Sequence, residues 1–369
     1  MILGKTPPPG WDERIAFPLQ SVGYAHAACA LGHRPLFAED DRGLALVLVR
    51  RVPLPLVGAW TARAKVYAHA HDPAFLPALV EELRRLGVSH VKMGDALWGM
   101  SGRLPEEWSS LRRADYYIFV HDLRQPDEAL LAGARAQVRR DIRKSSVSVT
   151  VTEVRTRRDL RDYVQLSAQT GARMRSHDLA AVYPTSYFET ILHDMVPRHQ
   201  AALFIARVGE MPVAGALYMM TGDRFVYLHG CSTRDRALTP KQGPTAVFWH
   251  AIRFARAHGC AIFDMGAVTP TNDRTHPHSS VYEYKKGWGG RLETVPSGEL
   301  IVSPAKYRFQ EYVLAPMWDR LHPLYLRLFG DPAAPPVGAD VPWTTPEPVV
   351  PATAPTTSSV GALARPERM

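Results

Sequence analysis

Apolar positions along the chain switch between a helical and a strand period, and the alternation predicts an α/β protein. Gln20–Leu31 reads as a helix, followed by extended Pro35–Phe37, a polar turn at Asp40-Asp41-Arg42-Gly43 and the strand Leu44–Arg50. Asp72 and Pro73 supply an N-cap and a first-turn proline for the helix Ala74–Leu86, which Gly87 stops ahead of the apolar strand Val88–Met93. In the second half the strand Tyr116–Leu123 leads to a helix over Asp127–Lys144. There Leu130, Leu131, Ala134, Val138 and Ile142 share one face, opposite Arg135, Arg139 and Arg143. Val147–Val154 alternates as a half-buried strand, and Arg158–Arg173 and Pro184–Met195 read as helices. The strands Ala201–Val208, Val213–Met220 and Arg224–His229 form an antiparallel meander through turns at Gly209-Glu210 and Gly222-Asp223. The helix Thr245–His258, stopped by Gly259, then feeds the strand Ala261–Met265.

The last 39 residues carry nine prolines among Ala, Thr and Val, a composition that cannot build a core and predicts a disordered or extended tail. The 369 residues therefore divide into a first unit over 1–115, a second over 116–330 that ends in a C-terminal helix, and a tail over 331–369. At 46% hydrophobic and 22% charged residues, the composition is that of a globular protein and excludes a fibre. No uncharged run reaches the roughly 18 residues of a membrane span, and Met1–Phe17 lacks the apolar stretch of a signal peptide, so a soluble cytoplasmic protein is expected. Cys29, Cys231 and Cys260 are odd in number and far apart, which supports neither a disulfide framework nor a zinc ribbon. No HExxH pattern occurs, and His276-Pro277-His278 has no evident third ligand, so no metal is expected.

Net charge is +8, and because the tail contributes −2 the body holds +10. Such a balance favours a polyanionic partner such as RNA, a phospholipid surface or a diphosphate-bearing substrate; a solvated charged face is the simpler alternative. Only eight of the 44 basic residues are lysines, and two of these are adjacent, Lys285 and Lys286.

The element order β-α-α-β-β-β-α-β of the second half is that of a GNAT-type acyltransferase domain. Four segments in sequence strengthen the likeness: Val138 to Lys144 (VRRDIRK), Tyr183 to Phe188 (YPTSYF), Phe263 to Gly266 (FDMG) and Tyr284 to Gly290 (YKKGWGG). The last is the most specific. Together they make the chain resemble the FemABX peptidyl and aminoacyl transferases over residues 15 to 310, a group built from two GNAT-like domains. The resemblance implies a mixed-sheet α/β fold, with helices flanking the sheet of each domain. It also implies transfer of an amino acid from aminoacyl-tRNA to the stem peptide of a peptidoglycan precursor, without a cofactor.

In that reaction an amine attacks an activated ester and the tetrahedral intermediate carries an oxyanion, which a fixed positive donor stabilises. By resemblance Lys285 is that donor and Tyr284 the aromatic beside it; the alternative for Lys285 is a surface lysine before a glycine turn. Gly287, Gly289 and Gly290 permit a tight turn or close approach to a ligand, Gly289 being the one assigned to substrate. Asp264 and Asp95, each just past a predicted strand, are candidate general bases, although either suits a hydrogen-bonded strand-end Asp equally. Arg173, Arg175, Tyr227 and His229 are candidate acceptor contacts. The family often has a phosphate-contacting lysine on its first helix, whereas Gln20–Leu31 holds neither Lys nor Arg, so Lys65 or Arg63 would compensate or the acceptor differs. Arg135, Arg139, Arg140, Arg143 and Lys144, continued by Arg155, Arg157, Arg158 and Arg161, offer either a tRNA-backbone contact or a solvated face. No long helical arm interrupts the chain.

Two rivals stand beside this reading. An acyl-CoA-dependent transferase acting on a sugar or an amine would cradle pyrophosphate in a loop at a helix N-terminus. Pro240-Lys241-Gln242-Gly243-Pro244-Thr245 has the glycine but departs from the expected loop at Pro240 and Thr245. The second rival is a non-catalytic module that binds RNA or a cell-wall partner.

Overall fold

The computed structural model describes residues 1–51, 62–93, 111–113, 115–174, 183–271, 278–295, 297–314 and 316–317. Both units are mixed α/β layers, each built on a seven-stranded sheet. The first begins with strand β1 (Ile2–Gly4) and a short helix α1 (Trp11–Arg14). Helix α2 (Val22–Cys29) follows, capped by Ser21, whose Oγ accepts from Tyr24 N at 3.1 Å. Strands β2 (Arg34–Asp40), β3 (Gly43–Arg51) and β4 (Ala62–Ala70) form an antiparallel meander. Helix α3 (Phe75–Arg85) crosses back so that β5 (Val88–Met93) lies parallel to β4. Its buried Phe75, Leu76, Leu79, Val80 and Leu83 recur at helical spacing and pack on the outer face of that sheet. Strand β6 is Leu111–Arg113.

The second unit repeats the plan. It opens with β7 (Tyr116–Asp122), α4 (Asp127–Gly133), α5 (Ala136–Ser148), β8 (Thr150–Glu153), α6 (Arg157–Met174) and α7 (Thr185–Thr190), which runs into a π-helical turn over Ile191–Met195. The meander β9 (Ala201–Val208), β10 (Met211–Thr221) and β11 (Arg224–Ser232) leads through α8 (Gly243–Ala257) to β12 (Ile262–Val268), parallel to β11. Helix α9 (Ser279–Gly287) and strand β13 (Arg291–Val295), which pairs with β7, complete the sheet in the order β13-β7-β12-β11-β10-β9-β8.

After β13 the chain returns to the first sheet. Strand β14 (Gly298–Ile301) inserts between β5 and β6, and helix α10 (Pro304–Phe309) packs against β5. Residues 298–314 thus belong structurally with the first sheet, although a linear division at 115/116 assigns them to the second unit. A further bond between the units is a common core, in which Trp11, Tyr24, Leu46 and Tyr67 pack with Tyr163, Tyr187, Phe188 and Leu217.

Two elements differ from the sequence reading. The helix expected over Asp127–Lys144 is broken at Ala134-Arg135, both extended, and its second half runs on to Ser148, shortening the following strand to Thr150–Glu153. The break has a partner far along the chain: Arg135 N donates to Gly287 O at 2.8 Å. The Pro184–Met195 helix turns π-helical at Ile191. Residues 331–369 lie outside the described residues.

Candidate functional site

Strands β11 and β12 are paired in register only over Arg224–Val226 and Ile262–Asp264, and beyond these the two strands serve different neighbours. Two irregularities mark the divergence. On β11 the register against β10 shifts so that Leu217 faces His229 while Tyr218 faces Tyr227. On β12 two residues, Met265 and Gly266, stand against the single Phe119 of β7, a bulge that Gly266 accommodates at φ +73°. A Cβ at Gly266 would lie 2.7 Å from Tyr227 O, so the residue must be glycine for the two strands to approach here.

Helix α9 delivers Lys285 to this point. Tyr282, Lys285 and Trp288 lie three residues apart on one buried stripe, with Tyr282 against Phe119 and Trp288 against Phe248. Only 5% of Lys285 is exposed. Its Nζ donates to Ala267 O at 2.9 Å and stands 5.1 Å from the centre of the Tyr227 ring, which leaves two of its three N–H donors for a ligand. Burial lowers Lys285 to about 8, against the opposing pull of Asp264. Asp264 is fully buried and raised to about 6 by that burial; its carboxylate accepts from Gly266 N at 2.7 Å and from Arg224 Nη1 at 3.3 Å. It therefore holds the bulge and supplies a counter-charge beneath Lys285.

A cavity of about 640 Å³ opens above Lys285. Tyr227 and His229 of β11, Tyr284 and Lys285 of α9, Phe248 of α8 and Tyr183 line it, and Thr233, Arg234 and Gln242–Pro244 form another part of its wall. Tyr163 OH and His229 Nδ1 are 2.9 Å apart. Burial drives Tyr163 well up, so its hydroxyl keeps its proton, and lowers His229 to about 4, so the imidazole is neutral. With the hydroxyl donating to Nδ1, the hydrogen-bond network assigns the ring proton to Nε2. Tyr284 is buried and raised to about 12 by desolvation, and its ring sits edge-on to Phe248 at 5.7 Å.

The structure thus gathers Lys285, Tyr284, Tyr227 and His229 around one cavity and sets the other expected residues elsewhere. Asp264 lies beneath Lys285 and is not among the cavity's lining residues. Gly289, expected at the substrate, instead meets its own chain: with φ +81°, a Cβ there would lie 2.6 Å from Gly133 O. Lys65 stands on β4 of the first sheet, opposite Leu48. Asp95 and Arg175 lie outside the described residues; Arg173 falls in the last turn of α6, with its side chain outside the description. In the basic run, Arg135, Arg155 and Arg158 pair with Glu283, Glu153 and Glu210. Tyr163, Phe248 and Arg224 escaped the sequence reading. The i, i+3, i+6 spacing of Tyr282, Lys285 and Trp288 was the available signal that Lys285 is buried, whereas nothing local ties Tyr163 to His229.

Residues 132–286 match the acetyltransferase (GNAT) domain family. A lipid II:glycine glycyltransferase of Staphylococcus haemolyticus is 25% identical over 122 residues, 32% of this chain and 26% of that protein. A Staphylococcus aureus protein of the same name is 28% identical over 103 residues, 27% of this chain and 24% of its own length. The resemblance to the FemABX transferases holds. The aligned segments span only about a quarter of those relatives. Among solved structures, the crystal structure of FemX superposes with a TM-score of 0.59 at 16% identity, covering 84% of this chain and 99% of that one. L-PGS from Bacillus licheniformis gives 0.55 at 12% identity, covering 86% and 98%. These two likenesses establish the fold, and the match to the acetyltransferase (GNAT) domain family lies within the second unit. No group of three or more metal-ligating side chains converges among the described residues, and no described helix is long and apolar enough to cross a membrane.

Proposed function

We propose that the chain is a cytoplasmic aminoacyltransferase that adds an amino acid from aminoacyl-tRNA to the stem peptide of a peptidoglycan precursor. The observation that carries this reading is the buried Lys285 ammonium, held at the divergence of β11 and β12 against the cavity, with two donors uncommitted. The attacking amine nitrogen forms a bond to the ester carbonyl carbon, the carbon–oxygen bond to the tRNA ribose breaks, and the proton lost by the amine ends on the ribose oxygen. Lys285 binds the oxyanion between these events, and His229 Nε2–H supplies a second neutral donor on the cavity wall. Tyr227 and Tyr284 shape the apolar part of the site. No cofactor is required, because the ester is already activated. A lipid-linked acceptor would add peripheral contact with a membrane surface.

The acyl-CoA alternative is disfavoured by the chemistry of the α8 N-terminus. Pro244 removes one of the free backbone donors of the first turn, so the usual pyrophosphate cradle is depleted. The deciding experiment offers the purified protein a charged tRNA pool or acetyl-CoA, each with lipid-linked or soluble muropeptide precursor, and weighs the acceptor. A gain of one amino-acid residue with tRNA alone is expected. A gain of one acetyl group identifies the CoA-dependent rival, and no gain in any mixture leaves a binding module.

A further inference from the structure

The cavity above Lys285 has a side chamber of about 140 Å³ between β11 and α8. Tyr227 and Phe248 are walls of both, whereas Gly215, Ala216, Cys231 and Val247 belong to the chamber alone. The sheet itself makes the hollow. Ala216 of β10 stands opposite Gly230 of β11, and residues so opposed share a face, so a methyl group and a hydrogen occupy the ground that two ordinary side chains would fill. Gly230 cannot be larger: a Cβ there would lie 2.1 Å from the hydroxyl of Tyr227, which reaches along the strand to that point. Val247 and Phe248, both buried on α8, line the chamber from the helix.

No charged side chain lines the chamber among the described residues. Of its polar members, Cys231 and Thr170 are turned to the main chain: Cys231 Sγ lies 3.7 Å from Gly215 O, and Thr170 Oγ1 accepts from Ser232 N at 3.1 Å. An apolar hollow of roughly 150 Å³ holds a molecule the size of benzene. This chamber therefore has room for a four-carbon side chain, yet it offers no counter-charge to an ammonium or a carboxylate.

Position ties the chamber to the chemistry. Lys285 Nζ stands 5.1 Å from the centre of the Tyr227 ring, and that ring is a wall of the chamber. An aminoacyl ester with its carbonyl oxygen on Lys285 bears its side chain on the adjoining carbon, next to the shared walls. The relatives similar to this chain are named for glycine, but a glycyl group would leave the chamber empty and its apolar surface unused. We propose that the side chamber receives the side chain of the transferred amino acid and selects a neutral aliphatic one, up to leucine in size, over glycine and over charged residues. The inference deepens the function proposed above and rests on that reading for the aminoacyl ester.

The test is calorimetric titration of the full-length protein with 3′-amino-3′-deoxyadenosine acylated by leucine, glycine, lysine or phenylalanine, amide analogues that cannot be transferred. The leucyl analogue should bind at least about 10-fold more tightly than the glycyl and lysyl ones. Ala216→Val fills the chamber and should bring the leucyl and glycyl affinities to parity without lowering the melting temperature, because it adds carbon where there is room. Val247→Ala enlarges the chamber and should tighten binding of the phenylalanyl analogue; if Ala216→Val fails to fold, this variant decides alone, and an unchanged phenylalanyl affinity overturns the proposal. Transfer is read alongside from the acceptor's mass, with tRNA charged with each of the same amino acids, and the leucyl gain should outrun the glycyl one. Analogues that bind alike or not at all, a glycyl or lysyl preference, or a leucyl preference that Ala216→Val leaves intact overturns the chamber's role; if an amino acid is transferred all the same, the proposed function stands. Leucyl selectivity that Ala216→Val removes, with no transfer in any mixture, keeps the chamber and overturns the transferase reading.

Discussion

Lys285 carries opposing demands. Its charge is what the proposed reaction would use, and its burial works against that charge, leaving it at about 8. The attacking amine must be neutral, so raising pH first speeds transfer and then removes the proton from Lys285, giving a bell-shaped profile. The alkaline limb of kcat/KM is expected near pH 8, and Lys285→Arg, whose guanidinium stays charged, should lose that limb even while it is slower overall. Lys285→Ala should lower kcat by about 100-fold to 1000-fold without unfolding the protein. A variant that keeps near wild-type turnover would remove Lys285 from the chemistry. Asp264 enters through Lys285: its negative charge holds the lysine proton on, so Asp264→Asn should move the alkaline limb to lower pH, a shift that a purely structural aspartate would not produce. Stability gives an independent check. The folded carboxyl sits at about 6, above its ordinary 3.8, so the folded state holds that proton more tightly than the unfolded chain. Wild-type stability should therefore fall relative to Asp264→Asn as pH rises from about 4 through 6, measured by urea denaturation across that range.

At the scale of elements, a turn near the end of the second unit depends on a break near its start. Gly289 approaches Gly133 O so closely that a Cβ would lie 2.6 Å away, and its φ of +81° disfavours any side chain. Gly289→Ala should cost at least about 1–3 kcal/mol in chemical denaturation, and it should slow transfer as well, because the turn anchors the end of α9 that carries Lys285. An unchanged midpoint would show that the turn can relax. The same pair explains what could be read beforehand. The strand Ala201–Val208, its meander partners and the glycine-stopped helices were legible because period and turn chemistry are local. The break at Ala134-Arg135 was not, since the helical stripe from Leu130 to Ile142 continues across it and its cause, the carbonyl of Gly287, lies some 150 residues downstream. The bulge at Met265-Gly266 was hidden for a similar reason: a lone glycine after a strand does not announce how closely Tyr227 will approach. Lys285, Tyr227 and His229 were legible as residues, whereas their meeting at the divergence of two parallel strands is a property of the sheet.

The whole molecule is two repeats of one plan, tied in two places. The first tie is the common core, where Phe188 is fully buried among Tyr163, Tyr183, Tyr187 and His229. Its neighbours reach Tyr24 and Tyr67 of the first unit through the same cluster, so Phe188→Ala should destabilise the protein by about 3–5 kcal/mol. The second tie is β14, which leaves the second unit and hydrogen-bonds β5 on one side and β6 on the other. A strand inside a sheet supplies both neighbours with ladder bonds, and deleting it exposes two edges. Its anchorage extends past its ends: Ser89 Oγ reaches Gln310 Oε1 at 2.9 Å, and Ser297 Oγ donates to Met93 O at 3.0 Å. A chain ended at Val295 keeps every strand of the second sheet and loses these bonds from the first. If the two units form one cooperative structure, that truncation should abolish the single calorimetric transition of the full chain, not merely lower it. Survival of a sharp second-unit transition near the original temperature would instead show that the common core leaves each sheet to fold alone. Transfer activity follows the first outcome, because the Lys285 cavity is built against β11, whose neighbours pack into the shared core.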